Sequence, residues 1–130
     1  MFKNILLVED DPFLIDIYTT KFKECGFLIK VASDGGQAIN IIKEKNTDLV
    51  LLDIVLPKYD GWDVLKSMQE NDVVKNIKVV VLSNLGQKSD IDKAMSLGAA
   101  KYLIKAHYTP SEIVDEVVAL FEEGKKSIDQ

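Results

Sequence analysis

The sequence predicts an α/β domain built on a parallel sheet of five strands, and three observations lead there. Short apolar runs rich in Val, Ile and Leu alternate with longer stretches of helical period, the pattern of repeated βα units. The runs are nearly continuous in apolar residues, as burial on both faces of a parallel sheet requires. Acidic residues stand where two runs end: Glu9-Asp10-Asp11 after Asn4-Ile5-Leu6-Leu7-Val8, and Asp53 after Leu49-Val50-Leu51-Leu52. In a parallel sheet such C-terminal strand ends share one edge, where sites in open α/β sheets form.

The first strand is expected over about 4–9. Asp11 followed by Pro12 then opens a helix over about 12–25 that Gly26 ends. Leu14, Ile17, Tyr18 and Phe22 share one face of it and form a core stripe. The second strand reads as about 27–32, and Asp34 with Gln37 makes a capping-box pattern before a helix over about 35–46. After the third strand, about 48–53, Asp60-Gly61 reads as turn chemistry and precedes a helix over about 61–71, whose first turn Trp62 should pack. Lys78-Val79-Val80-Val81-Leu82 lies in the fourth strand, about 77–83, and is far too short to span a membrane. The fourth helix, about 87–97, stops at Gly98. Beyond the fifth strand, about 100–104, Thr109-Pro110-Ser111-Glu112 caps a helix over about 110–123, with Ile113, Val117 and Phe121 facing the core. One domain is expected over residues 1–124, with 125–130 a frayed tail.

At 130 residues and 47% hydrophobic, the chain holds one core and has no room for a second domain. A net charge of -5 argues against nucleic acid as a partner, since phosphate binding is built from clustered Lys and Arg. The one cysteine, Cys25, excludes an internal disulfide and reads as a small packed thiol near a helix end. No long apolar run or signal-like start appears, so the expected setting is cytoplasmic, away from membranes. His107, the single histidine, reads as a solvated loop residue. The clustered carboxylates repel and raise one another's pKa, and a hard divalent cation with oxygen ligands removes that cost; Mg²⁺ is the expected occupant. Asp11 reads instead as an N-cap.

Matching chemistry recurs, in order, at four strand ends: Glu9 and Asp10; Asp53 within Leu52-Asp53-Ile54-Val55-Leu56-Pro57-Lys58-Tyr59-Asp60-Gly61; Ser83; and Tyr102 with Lys105. On these residues the chain resembles, over essentially its whole length, a CheY-like response-regulator receiver domain of two-component signalling. The resemblance implies a doubly wound, flavodoxin-like (βα)5 domain with sheet order 2-1-3-4-5. It also implies a phosphoacceptor switch rather than a turnover enzyme. Asp53, the phosphorylation site, takes a phosphoryl group from a partner histidine kinase or histidine phosphotransfer protein, and the surface of the fourth helix, fifth strand and fifth helix then changes.

An attacking carboxylate becomes an aspartyl phosphate, and Mg²⁺ with the Lys105 ammonium offsets the repulsion between two anions. The expected metal ligands are Asp10, Asp53 and the backbone carbonyl of Val55, with Glu9 acting through water. Ser83 is expected to donate to a phosphoryl oxygen and draw the following loop inward, and Tyr102 to turn inward with it. A downstream effector protein or effector domain is the implied second partner, and the chain is expected to be a monomer or a weak phosphorylation-dependent homodimer.

Two positions depart from the family's commonest pattern. Asn84 follows Ser83 where a small Ala or Gly is usual, and Ala106 follows Lys105 where Pro is usual. Both are expected to slow the kinetics. The Lys105–Ala106 peptide is expected to be trans, because a cis bond before a non-proline residue costs about 3–4 kcal/mol. Two other classes compete with this reading. A flavin-mononucleotide module of the same sheet order needs a first loop that cradles phosphate, which Glu9-Asp10-Asp11 would repel. A pseudo-receiver, acting as a phosphorylation-independent interaction module, requires loss of an acid, the serine or the lysine, and none is lost.

Overall fold

The computed structural model describes residues 3–129, in which strands and helices alternate. Strands β1 (Asn4–Val8), β2 (Leu28–Ala32), β3 (Leu49–Leu52), β4 (Lys78–Ser83) and β5 (Lys101–Ile104) form one parallel sheet in the order β2-β1-β3-β4-β5. The helices are α1 (Pro12–Glu24), α2 (Gly35–Lys43), α3 (Gly61–Glu70), α4 (Lys88–Ser96) and α5 (Pro110–Asp129).

Alternation along each strand feeds two cores. Leu6, Val8, Val50, Leu52, Val79 and Val81 pack against Ala38, Ile42, Val64, Leu65, Met68 and Ala94, which places α2, α3 and α4 on one face. Ile5, Leu7, Leu49, Leu51, Val80, Leu82 and Leu103 meet Tyr18, Phe22, Ile113, Val117 and Leu120 of α1 and α5 on the other. Both faces of the central strands are covered, which is why β1, β3 and β4 read as nearly continuous apolar runs, whereas the edge strand β2 carries Lys30. Each fully buried Leu, Ile or Phe contributes about 1.5–3 kcal/mol relative to exposure, so the central strands anchor the fold and hold the sheet edge rigid.

The caps form much as the sequence predicts. Asp11 accepts from Phe13 N (2.9 Å), and Asp34 accepts from Gln37 N (2.9 Å). Thr109 and Glu112 bond reciprocally at the start of α5 (3.2 and 2.9 Å). Asp60 does more than turn the chain: it caps α3 through a capping box with Asp63. The Lys105–Ala106 peptide is trans, with no cis bond among the described residues.

Several expectations are corrected. Cys25 is exposed rather than packed, because Phe22 and Phe27, with ring centroids 5.7 Å apart, fill the interior where α1 ends. The backbone of α5 continues to Asp129, past the end predicted at 123; a single helical Gly costs about 1 kcal/mol, too little to stop a helix by itself. α2 stops at Lys43, short of 46, and Lys45 takes a left-handed conformation (φ 60°) just beyond. Two short 3₁₀ turns, Val73–Lys75 and Lys105–His107, were not expected. Among the described residues, no helix is long and apolar enough to cross a membrane.

Candidate functional site

Register assembles the site. Val8 lies opposite Leu52 in the β1–β3 pair, so the next residues, Glu9 and Asp53, emerge side by side at the sheet edge. The ladder continues across them, with Asp53 N donating to Val8 O (3.0 Å) and Glu9 N to Ala32 O (3.0 Å). The carboxylate oxygens of Glu9, Asp10 and Asp53 offer a set lying within 4.8 Å of one another. Asp10 is exposed, whereas Glu9 and Asp53 are buried, at 1% and 7% exposure.

Gly61 shapes the space beneath Asp53. Its N–H bonds Ile54 O at 2.9 Å, and a Cβ there would lie 2.4 Å from the Asp53 carbonyl oxygen, so only glycine fits. Lys58 turns the intervening loop with φ 63°.

Lys105 arrives from β5. Its ammonium donates to Asp53 Oδ2 at 2.8 Å and to Glu9 Oε1 at 2.6 Å. The second oxygen of each acid is also engaged: Glu9 Oε2 accepts from Asp10 N (3.0 Å) and Asp11 N (3.2 Å), and Asp53 Oδ1 accepts from Val55 N (3.2 Å). Burial pushes the Glu9 carboxyl up; the bond to Lys105 opposes this and the Asp53 charge adds to it. Burial also works against the Lys105 charge, but hydrogen bonds to Asp53 and Glu9 outweigh it and hold the ammonium above the ordinary lysine value.

Ser83 ends β4, fully buried, and its Oγ accepts from Leu85 N at 3.2 Å. The Tyr102 hydroxyl donates to the carbonyl of the same residue, Leu85. Ser83 and Tyr102 therefore hold opposite ends of one loop residue. Burial pushes the Tyr102 phenol up.

A model of the response regulator receiver domain family matches residues 5–118. The chain belongs to the response regulator receiver domain family. This receiver domain is 34% identical over 119 residues to the DNA-binding response regulator MtrA of Mycolicibacterium smegmatis, covering 92% of this chain and 50% of that protein. The chain spans about half the length of such curated relatives. Among solved structures, the Francisella response regulator 1452 receiver domain superposes with a TM-score of 0.85 at 28% identity, covering 94% of this chain and 98% of that one. A chain of the CheX-CheY-BeF3-Mg complex from Borrelia burgdorferi superposes at 0.83 with 32% identity, covering 92% and 89%.

The receiver's expected site residues thus fall into two groups. Glu9, Asp10, Asp53 and Lys105 converge, with Val55, itself 62% exposed, supplying an N–H at their rim. Ser83 and Tyr102 are linked through Leu85. Asp11 stays a cap, and His107 is exposed in its turn. Trp62 packs on the core with the Lys93 ammonium 4.3 Å from its ring centroid. Sequence reasoning missed the Glu9–Lys105 ion pair, which joins the ends of β1 and β5, and a bond from Ala106 N to Asn84 Oδ1 (3.1 Å) between the loops after β4 and β5; the one available signal was strand-end position.

Proposed function

We propose that this receiver domain is a phosphoacceptor switch that takes a phosphoryl group onto Asp53 from a partner histidine kinase or histidine phosphotransfer protein. The observation that carries the reading is the Lys105 ammonium 2.8 Å from Asp53 Oδ2, inside a buried, acid-lined strand edge. The Asp53 carboxylate attacks phosphorus; the bond to the donor's imidazole nitrogen breaks as the bond to the carboxylate oxygen forms. Lys105 already pairs with that carboxylate and lies within reach of oxygens added to it, so charge on the transferred group meets a preplaced cation. Asp10 is exposed at this edge, which gives the donor a side from which to approach.

The donor set fits a hard divalent cation, since it is oxygen-only, close-set and richer in negative charge than one ammonium balances. Asp10, Asp53 and the carbonyl of Val55 would hold Mg²⁺ directly and Glu9 would act through water. When bound, Mg²⁺ supplies charge neutralisation for the phosphoryl oxygens.

The Leu85 arrangement supports a readout. Once the Ser83 hydroxyl donates to a phosphoryl oxygen, the loop it holds through Leu85 shifts, and Tyr102, bonded to the same residue, follows. The responding surface is α4, β5 and α5, where Lys88, Asp92, Lys93 and Glu112 are exposed and of mixed charge. Such a surface suits a downstream effector protein or domain, or weak dimerisation. The reading is one of a signalling domain in the cytoplasm rather than a turnover enzyme.

Intact-mass measurement after incubation with a small acyl phosphate tests it. A phosphoryl gain that requires Mg²⁺ and vanishes in Asp53→Asn is the expected result. No gain under any condition would overturn it and leave a phosphorylation-independent interaction module.

A further inference from the structure

The 3₁₀ turn Lys105–His107 begins with backbone N–H groups that have no acceptor inside the turn, whose closing bond runs from Tyr108 N to Lys105 O. Ile104, in the capping position, has an apolar side chain and cannot serve them. The acceptor for Ala106 N comes from another loop: Asn84 Oδ1, at 3.1 Å. Because the donor is a backbone N–H, the amide must present its oxygen. A proline at 106 would have no N–H to give.

Two further features press the same loop onto β5. Leu85 O takes the Tyr102 hydroxyl, and Gly86 lies so close to Ile104 that an added Cβ would come within 3.1 Å of its Cδ1. Register explains the reach: Ser83 pairs with Ile104, so Asn84 and Lys105 are each one step beyond the last pair of the β4–β5 ladder.

We propose that Asn84 is a positioning residue for Lys105: it caps the turn that Lys105 opens, and so fixes the backbone from which the ammonium reaches Asp53. The inference rests on the reading of Asp53 as phosphoacceptor. Asn84 has a second consequence. When Ser83 and Leu85 move, the tether carries the Lys105 turn with them, so the lysine and the serine respond as one unit.

The test is a cycle over Asn84→Ala and Ala106→Pro, read by Asp53 labelling with a small acyl phosphate in Mg²⁺ and by amide hydrogen exchange at Ala106. Loss of one hydrogen bond corresponds to a change of roughly threefold to tenfold. Asn84→Ala is expected to speed Ala106 exchange by about that factor, with Asn84→Asp, which keeps an acceptor oxygen, restoring protection. In labelling, Asn84→Ala should be slower than expected from size alone: its effect in the parent background should fall below its effect in the Ala106→Pro background by a similar factor. Relief of crowding beside the site would appear equally in both backgrounds and cancels in the comparison. Unchanged Ala106 exchange in Asn84→Ala, or an identical labelling effect in both backgrounds, would overturn the proposal. A parent protein that takes no label, with exchange responding as expected, would leave a structural tether and remove both the phosphoacceptor reading and the role for Lys105.

Discussion

Lys105 Nζ donates to Asp53 Oδ2 at 2.8 Å across 52 residues of sequence, and the fold exists in a form that makes this contact natural: β5 and β3 flank β4 in one parallel sheet. The lysine side chain is only 14% exposed. Its apolar stem lies in the sheet edge while its head meets two buried acids, so one cation serves the stability of the edge and the chemistry proposed for it.

Replacing Lys105 by Met should therefore show in two measurements. Removing one partner of a buried charge cluster strands the others, and a loss of about 3 kcal/mol is expected in denaturant unfolding without Mg²⁺. Labelling of Asp53 should slow by about 100-fold, the scale for losing a preplaced charge donor. Unaltered stability would show that Glu9 and Asp53 are better hydrated than their burial implies.

Glu9 sets a pH dependence. Its carboxyl is raised above 4.5 in the folded state, chiefly by burial, so the folded protein binds that proton more tightly than the unfolded chain does. This contribution to stability is present below 4.5 and is lost as pH rises through the folded value. Glu9→Gln lacks the loss. Compared without divalent cations, the variant should gain on the parent as pH rises from 4.5 toward neutrality. A variant that instead falls behind over that window would mean that Lys105 and the two amides overcompensate the burial of the charge.

Leu85 predicts how the switch propagates. Its N–H belongs to Ser83 and its carbonyl to Tyr102, so beryllofluoride with Mg²⁺ should shift the amides of Ser83, Leu85 and Tyr102 together. In Tyr102→Phe the response at Ser83 should persist while that along β5 shrinks. Shifts confined to Asp53 and its immediate neighbours would show that the loop does not move.

The order of the elements and the meeting of the candidate acids Glu9, Asp10 and Asp53 at one sheet edge were legible in the chain because their signals are local. The run Leu49-Val50-Leu51-Leu52 can be buried on both faces only in a covered sheet, and an acid directly after it must lie at the edge. Asp11, Thr109 and Glu112 announce their caps within a few residues. The remainder depends on how the sheet brings strand ends together. Nothing near Glu9 signals that Lys105 will pair with it, and nothing near Asn84 signals Ala106. Cys25 failed for a related reason: the space it was expected to fill belongs to Phe27, which reaches Phe22 only once the chain has turned at Gly26, with φ 89°. Asp60 looked like a turn residue because its capping partner, Asp63, is a less usual choice than Glu or Gln at that position.

The most direct measurement is to trap the acyl phosphate. After treatment with a small acyl phosphate and Mg²⁺, borohydride reduction converts a phosphorylated aspartate into an alcohol that peptide mass spectrometry can locate. The account predicts reduction at Asp53, dependent on Mg²⁺ and weakened in Asp10→Asn, with Glu9 and Asp10 unmodified. Reduction at Glu9 or Asp10, or none at Asp53 in a folded protein, would contradict it.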